Sequence, residues 1–338
     1  MSDFAVEALD VVRTFKDGNV RALDGVSLRV PRGQVFGLLG PNGSGKTTMV
    51  RILSTILAPS SGSAMVNGYD VVKQPQLVRA SIGLAGQYAA VDENLTGFEN
   101  LRMIGRLNHL AKAVVVERSR ILLAQFDLTD AMNRSTKTYS GGMRRRLDLA
   151  AALVAAPPLL FLDEPTTGLD PQSRQDLWGI IEGLVAGGTT ILLTTQYLEE
   201  ADRLAQQLVV LDHGRIIAQG TSRELKRKLG DTVLVLHFPG ADDARRAEPL
   251  LAPFSSQPPH VEGNVLELTV ENGPATTAAA LRHLDAAEIV VAGLTLREPS
   301  LDDVFLNLTG HKVNAPTSEP APKTPINAGR GRGRKVRS

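Results

Sequence analysis

The segment Gly40-Pro-Asn-Gly-Ser-Gly-Lys-Thr47 constrains this chain more than any other, because it fits the pattern G-x-x-x-x-G-K-[ST]. An apolar run, Val35–Leu39, precedes it, and residues 47–57 have the pattern of a helix. Glycines at such a junction let successive backbone N–H groups wrap a phosphate, and the helix N-terminus adds positive potential. The segment therefore predicts a strand, a phosphate-binding loop and a helix that together bind ATP or GTP.

The individual roles follow from the chemistry of this loop. Lys46 is predicted to reach the β- and γ-phosphates, and the Thr47 hydroxyl is predicted to ligate Mg²⁺. A glycine-rich turn without a ligand is the alternative, but the preceding strand and the following helix favour phosphate binding. The residues predicted to bind the nucleotide here are Gly40, Pro41, Asn42, Gly43, Ser44, Gly45, Lys46, Thr47 and Thr48.

A second motif, Leu159-Leu-Phe-Leu-Asp-Glu-Pro165, places two carboxylates after a continuous apolar run. Such a run is expected of a parallel strand that is buried on both faces, and ligands bind beyond the carboxyl ends of these strands. Adjacent residues at a strand end face in different directions, so one carboxylate can hold Mg²⁺ while the other reaches an attacking water. An isolated Asp-Glu pair would more often be a solvated turn.

A third motif, Tyr139-Ser-Gly-Gly-Met143, lies between the other two and opens a helix predicted to run toward Ala156. A hydroxyl and bare glycine backbone at a helix N-terminus present donors to an anion. Three arginines, Arg144 to Arg146, follow this motif. Because consecutive helical residues fan around the axis, we expect them to be solvated or to contact another subunit, and not to form a stripe for nucleic acid.

In this order, the three motifs resemble the ATP-binding cassette (ABC) family. The resemblance implies an α/β P-loop domain with an inserted helical subdomain, with Mg²⁺ on Asp163 and Glu164 as the general base. It also implies that Ser140, Gly141 and Gly142 bind the γ-phosphate of ATP held by the other subunit. Hydrolysis is then expected to require a head-to-tail dimer, and a homodimer is expected.

Four further residues take their predicted roles only from this resemblance. Phe15 is placed to stack on adenine, although it would suit a small N-terminal sheet equally well. Gln87 is expected to touch Mg²⁺ or the water, and Asp170 to belong to the loop that communicates between subunits. Most members of the family place a histidine where this chain has Gln196, which can donate a hydrogen bond but cannot carry charge near neutral pH. Hydrolysis is still expected, at a lower rate.

Composition and the alternation of strand and helix patterns divide the chain into three parts. Residues 1–230 predict a largely parallel α/β sheet, with a further apolar strand over 190–195, interrupted over 97–156 by the helical subdomain. Residues 231–310 predict a small α+β domain that pairs with its twin, regulates turnover or acts as a structural cap. Its strands are predicted over 232–238, 265–270 and 288–297, and its helices over 276–284 and 300–308. Residues 311–338 contain four prolines and Gly-Arg repeats and are predicted to be disordered. This tail carries a charge of +6, which leaves −5 for the remainder.

Composition also excludes several classes of protein. The chain has no cysteine, so it has neither disulfides nor thiolate metal sites. Its first residues lack the basic region and apolar core of a secretory signal. The longest apolar stretch, 147–162, contains two prolines and is shorter than the roughly 20 residues of a membrane-spanning helix. A transporter built with this chain is therefore expected to have its membrane part in another polypeptide.

Three segments, 139–146, 194–202 and 299–310, resemble the daunorubicin/doxorubicin-resistance branch of ABC exporters in particular. That resemblance implies a bacterial, peripheral subunit on the cytoplasmic face of the membrane, which drives a separate multi-span permease for a hydrophobic drug or lipid. The Gly-Arg tail suggests an alternative, a soluble ABC ATPase that acts on nucleic acid or ribosomes. Such proteins usually carry two cassettes or a long coiled coil, and this sequence has neither, so no specific nucleic-acid partner is expected.

Overall fold

The computed structural model describes residues 3–15, 20–86, 91–227, 232–297, 300–301 and 304–305. Its strands are β1 Phe4–Phe15, β2 Val20–Pro31, β3 Val35–Leu39, β4 Ser61–Val66, β5 Tyr69–Asp70, β6 Ile82–Ala85, β7 Leu159–Asp163, β8 Thr190–Thr195, β9 Gln207–Asp212, β10 Arg215–Gly220, β11 Thr232–His237, β12 His260–Glu262, β13 Val265–Val270 and β14 Gly293–Arg297. Its helices are α1 Lys46–Leu53, α2 Pro75–Ala80, α3 Gly97–Leu107, α4 Lys112–Gln125, α5 Gly141–Ala152, α6 Pro171–Ala186, α7 Leu198–Leu204, α8 Ser222–Arg227, α9 Ala241–Leu251 and α10 Gly273–Ala286.

A six-stranded sheet with the order β10-β9-β3-β8-β7-β6 forms the centre of the first domain. Strands β9, β3, β8, β7 and β6 pair in parallel, and β10 joins the edge antiparallel to β9. Every residue of β3, β7 and β8 is buried. Their continuous apolar runs therefore reflect packing on both faces of a parallel sheet, and the strand predictions for these segments are confirmed.

A second sheet, with the order β2-β1-β4-β5, is antiparallel throughout and was not expected from the alternating strand and helix patterns. Its strands bury one face against the central sheet, where Val6, Val26 and Val66 share a core with Phe36 and Met49. A strand buried on one side alternates between apolar and polar residues, as β2 does from Val26 to Val30, whereas register shifts interrupt the alternation in β1. The first domain therefore contains two sheets with a common core.

Helices α3, α4 and α5 form the predicted helical insertion. Helix α3 begins with a capping box, in which Thr96 and Glu99 exchange side-chain and backbone hydrogen bonds. Helix α1, by contrast, ends at Leu53 and not at residue 57 as predicted. Thr55 adopts a left-handed φ of +64°, and the carbonyl of Arg51 accepts the N–H groups of residues 56 and 57, which closes the helix early.

The C-terminal part forms a separate four-stranded antiparallel sheet with the order β12-β13-β11-β14, covered on one face by α9 and α10. The strand predicted over 288–297 begins only at Gly293, because Glu288 has a φ of +57° and residues 287–289 close the end of α10. Leu301, Val304 and Phe305 lie instead in the core of the first domain. The rest of the predicted 300–308 helix and the 311–338 tail lie outside the described residues.

Within the part of the chain that the structure describes, no helix is long and apolar enough to cross a membrane.

Candidate active site

Three parallel strands end side by side at one edge of the central sheet. Leu39 at the end of β3 pairs with Thr195 of β8, and Asp163 at the end of β7 pairs with Thr194. The residues that follow these strands therefore meet at the carboxyl edge, where ligands bind in open α/β sheets. A cavity of about 440 Å³ opens there, lined by Ala22, Asn42, Gly43, Gly45, Lys46, Thr47, Thr48, Glu164, Thr167 and Gln196.

The loop between β3 and α1 depends on its glycines. Gly43 and Gly45 have left-handed φ angles of +84° and +112°, which only glycine adopts readily. A Cβ atom on Gly45 would also lie 2.6 Å from the carbonyl oxygen of Ala22. The buried hydroxyl of Ser44 has no hydrogen-bond partner within the described structure. The Ser44 hydroxyl is thus available as a donor, and the glycines of the loop leave its backbone open to the cavity, as a phosphate site requires.

The ammonium group of Lys46 lies at the floor of this cavity, and its side chain is only 3% exposed. It donates to the carbonyl oxygens of Gly40 and Pro41, at 2.8 and 3.0 Å, and lies 3.5 Å from Oε1 of Glu164. Burial lowers the pKa of Lys46, while the carboxylates of Glu164 and Asp163 oppose that shift. A buried cation beside a glycine loop provides strong attraction for phosphate.

Two oxygen ligands suited to a hard cation lie next to the lysine. The Thr47 hydroxyl donates to Oδ1 of Asp163 at 3.2 Å, and the Thr194 hydroxyl holds the same oxygen at 2.5 Å. Carboxylate and hydroxyl oxygens, completed by phosphate oxygens and water, are the usual ligands of Mg²⁺. These residues therefore fit a magnesium ion. Gln87, the third predicted ligand, lies outside the described residues.

The backbone of Glu164 is in the left-handed conformation, with a φ of +50°. Its N–H group donates to the carbonyl and the hydroxyl oxygen of Thr194, both at 3.1 Å. Its Oε2 accepts from the Thr167 hydroxyl at 3.4 Å, and its carboxylate lines the cavity. Gln196 lines the same cavity from the end of β8. Backbone strain of this kind is often found at functional sites.

Ser140 and Asp170 lie at the starts of two neighbouring helices. Ser140 caps α5 by accepting from the Met143 N–H at 3.2 Å, and Asp170 caps α6 by accepting from the backbone and the hydroxyl of Ser173. Those two bonds hold the pKa of Asp170 below its usual range. A Cβ atom on Gly142 would lie 2.7 Å from the Ser173 hydroxyl. Neither cap lines the cavity described above, so their contact with nucleotide stays a prediction.

Phe15, the predicted adenine platform, ends β1 and is not among the residues that line the cavity. The guanidinium of Arg13 lies 4.7 Å from the centre of its ring. In β2, the strand that pairs with β1, Ala22 lines the cavity. The stacking role of Phe15 therefore stays a prediction.

The three arginines of α5 point in different directions, as the helical spacing predicted. Arg144 pairs with Glu93 at 2.9 Å, and Arg146 pairs with Asp127 at 3.2 Å. The expectation that all three are solvated or face another subunit is wrong for Arg145, whose side chain is only 12% exposed. It turns inward and donates to the backbone beneath the cavity. Three identical neighbours in sequence gave no signal that one of them is buried.

Glu200 of α7 is a second residue that sequence reasoning missed. It is fully buried, and its Oε1 accepts from the indole N–H of Trp178 at 3.1 Å. Burial raises the pKa of Glu200, and hydrogen bonds from neighbouring side chains oppose that shift. Glu199 and Glu200 are adjacent acidic residues, and the sequence does not show which of them faces the core. Helix α7 has only seven residues, which is too short for the periodicity of apolar residues to identify the buried face.

Two family models match this chain. The ABC transporter model matches residues 23–167, and a model of the C-terminal domain of DrrA1-3-like ATP-binding proteins matches residues 220–309. The daunorubicin/doxorubicin resistance ATP-binding protein DrrA of Streptomyces peucetius is 48% identical over 318 residues, or 94% of this chain and 96% of that protein. The daunorubicin resistance ATP-binding protein DrrA2 of Streptomyces coeruleorubidus is 51% identical over 93% of this chain and 97% of that protein.

Solved structures resemble the first domain. An ATP-binding subunit of an ABC transporter matches with a TM-score of 0.60 and 29% identity, over 66% of this chain and 92% of that one. A nucleotide-free ATP-binding cassette from an ABC transporter matches with a TM-score of 0.61 and 27% identity, over 66% of this chain and 94% of that one.

Proposed function

This chain belongs to the ATP-binding proteins of ABC transporters and is an ATPase of that family, and from this membership we propose that it powers drug export through a separate membrane protein. One observation carries the catalytic part: Lys46, Glu164 and Gln196 line one cavity at the carboxyl edge of the sheet. The export part rests on relatives that are named for daunorubicin and doxorubicin resistance and align along nearly the whole chain.

Binding of ATP changes the partners of Lys46. Its ammonium group donates to two carbonyl oxygens of its own loop, and phosphate oxygens are stronger acceptors for a buried cation. The β- and γ-phosphates replace those carbonyls, while loop N–H groups and the Ser44 hydroxyl supply further donors. Thr47 and Asp163 would hold Mg²⁺, which would supply positive charge that offsets the charge on the phosphates.

The same exchange frees the general base. In the structure, Glu164 lies 3.5 Å from Lys46, and that ion pair weakens once phosphate takes the ammonium group. The carboxylate then accepts a proton from the water that attacks the γ-phosphate in line. Gln196 donates a hydrogen bond to the phosphate from the end of β8.

We assign Ser140, Gly141 and Gly142 to the nucleotide held by a second copy of the chain. In support, these residues begin a helix, expose backbone donors and lie away from the cavity of their own subunit. Two copies then enclose two nucleotides, and their closure moves the permease on the cytoplasmic face of the membrane. Hydrolysis resets the closed state.

Glu164→Gln tests the base and the partner together. The amide cannot accept the proton, so we expect ATP hydrolysis to be almost abolished while ATP binding persists, which locks the closed dimer. A tagged Glu164→Gln protein, loaded with ATP and Mg²⁺ in membranes from the native cell, should then co-purify with a polytopic membrane protein, which mass spectrometry identifies.

Lys46→Ala is the matched control, because without the ammonium group the subunit loses affinity for ATP and cannot lock. Hydrolysis that is unchanged in Glu164→Gln would contradict the base assignment. Recovery of ribosomes or nucleic acid without a membrane protein would contradict the exporter proposal. Undiminished affinity of Lys46→Ala for an ATP analogue would contradict the role of the glycine loop.

A further inference from the structure

The side chain of Arg145 contacts backbone carbonyl groups next to the cavity, including that of Glu164. Its guanidinium donates to four carbonyl oxygens: those of Pro165 at 2.6 Å, Gly86 at 2.5 Å, Glu164 at 3.1 Å and Asp163 at 3.3 Å. Three of these acceptors are consecutive residues, from Asp163 at the end of β7 to Pro165 in the turn that follows. The fourth lies just beyond β6, the strand that pairs with β7.

Only a guanidinium can make these contacts. Its planar fork carries five N–H donors, whereas a lysine offers one point charge with three donors that cannot span separated acceptors. Asp148, one turn further along α5, lies 3.5 Å from the guanidinium and balances its charge. Burial lowers the pKa of Arg145, but carboxylates oppose that shift, and an arginine stays protonated in proteins.

The turn is thus held from two sides. On its amide side, the Glu164 N–H is fixed by Thr194 of β8. On its carbonyl side, Arg145 fixes the peptide groups of residues 163–165. Because Glu164 has a left-handed backbone, the direction of its carboxylate depends on the orientation of these peptide groups. A reoriented peptide would aim the carboxylate away from the cavity.

We infer that Arg145 is a positioning residue, which fastens the turn carrying Asp163 and Glu164, together with Gly86, to helix α5. The inference deepens the proposed function and rests on it, since Glu164 needs a bound ATP to act on. Helix α5 is capped by Ser140, which was assigned above to the nucleotide of the second subunit. Arg145 therefore links the helix that touches one ATP to the base that hydrolyses the other.

The test compares Arg145→Gln and Arg145→Lys with Arg146→Gln. Arg146 occupies the next position of the same helix and donates to Phe126 and Asp127, away from the turn, so it controls for loss of an α5 arginine. Two measurements are made on the full chain. The first gives steady-state kcat and KM for ATP with Mg²⁺. The second is hydrogen exchange of the backbone amides of the 163–167 segment (Pro165 has none), read by mass spectrometry on unliganded protein.

We expect Arg145→Gln to lower kcat by roughly 10- to 100-fold with KM changed less than about twofold, since a small misplacement of a catalytic group has an effect of that size. Arg145→Lys should fall between Arg145→Gln and wild type. The amides of 163–167 should exchange faster in Arg145→Gln and at the wild-type rate in Arg146→Gln. A purely structural role would instead change kcat, KM and exchange throughout the domain together.

Exchange of the turn at the wild-type rate in Arg145→Gln would overturn the inference, whatever the ATPase does. So would a kcat within about twofold of wild type in a protein whose Glu164→Gln variant is inactive. A wild-type chain that hydrolyses no ATP, or an active Glu164→Gln variant, would count against the proposed function instead. The exchange measurement would still decide whether Arg145 holds the turn.

Discussion

Gln196 stands where the resemblance to the ABC family predicts a histidine. It lines the ATP cavity at the end of β8, beside Glu164 and Lys46. An amide can donate a hydrogen bond to phosphate but takes no part in proton transfer. Among the described residues that line this cavity, Glu164 carries the only carboxylate and Gln196 is a neutral donor, so the proposed function assigns the base chemistry to Glu164 alone.

Gln196→His should accordingly change kcat by less than about tenfold, or roughly 1.4 kcal/mol of activation free energy. The imidazole replaces one hydrogen-bond donor with another and adds a group that titrates near pH 6.5. ATPase rates measured between pH 6 and 9 would show a new pH dependence at the acidic end. A loss as large as that of Glu164→Gln would mean that the side chain at 196 has more than a supporting role.

We expect Glu200 to make the free energy of unfolding depend on pH. Burial raises its pKa above the ordinary value of 4.5, so between 4.5 and the raised value the native state binds more protons than the unfolded state. The free energy of unfolding therefore falls as pH rises through that window. Glu200→Gln keeps an oxygen for the indole N–H of Trp178 and removes the titration, so the stability gained by the substitution should grow with pH.

Thermal melting from pH 5 to 9, followed by the fluorescence of Trp178, measures this difference; Trp178 is the only tryptophan of the chain. Glu199→Gln, at the exposed neighbouring position, is the control and should leave the pH dependence unchanged. Parallel curves of melting temperature against pH for wild type and Glu200→Gln would show that the pKa of Glu200 is the same in the folded and unfolded states.

At the scale of elements, the helical insertion is held by a close contact between α3 and the segment before α5. The hydroxyl of Tyr139 donates to the carbonyl of Ala131 at 2.8 Å. A Cβ atom on Gly97, the first residue of α3, would collide with that hydroxyl. The bulk of Tyr139 is thus matched by a glycine on the facing helix.

Gly97→Ala should destabilise the protein by about 1–3 kcal/mol, the usual cost of overpacking. Adding Tyr139→Phe removes the colliding hydroxyl and should recover part of that loss. Gly179→Ala in α6 is the control: in the described part of the chain, nothing beyond the backbone of its own helix lies within 4 Å of the added Cβ, so it should stabilise by up to about 1 kcal/mol. Denaturant melts of the three variants give these values, and Gly97→Ala as stable as wild type would disprove the contact.

At the scale of the whole molecule, the chain returns to its first domain after the C-terminal sheet. Leu301, Val304 and Phe305 are at most 3% exposed and share a core with α5, β7 and β8. The C-terminal sheet has a core of its own, built from β11, β13, α9 and α10. The segment that follows the small domain therefore stabilises the nucleotide-binding domain.

Two truncations separate this segment from the basic tail. Removal of residues 311–338 should leave thermal stability, ATPase activity and membrane association unchanged. Removal of everything after Arg297 also deletes three buried apolar side chains, each contributing about 1.5–3 kcal/mol, and should lower the melting temperature sharply. Loss of ATPase activity or of membrane association after removal of residues 311–338 would show that the tail is needed for that activity or that association.

The motifs of this chain were readable because they are local. A glycine loop with Lys46 needs only consecutive residues between a strand and a helix, and an apolar run that ends in Asp163 and Glu164 marks a buried parallel strand. The central strands and the helical insertion were predicted correctly for the same reason. The antiparallel sheet was not, since it depends on pairing between distant segments. The early end of α1 was not predicted either, because the left-handed turn at Thr55 has no glycine to mark it.

What the sequence determined by itself is the chemistry: a phosphate loop, a carboxylate pair and a serine-glycine turn in the order of an ABC ATPase. What only the tertiary structure decided is which of several similar residues are buried and which groups they contact. Arg145 is buried while Arg144 and Arg146 reach acidic partners, and Glu200 is buried while Glu199 is exposed. The physical reason is that burial and hydrogen-bond partners come from packing against distant parts of the chain, which neighbours in sequence do not share.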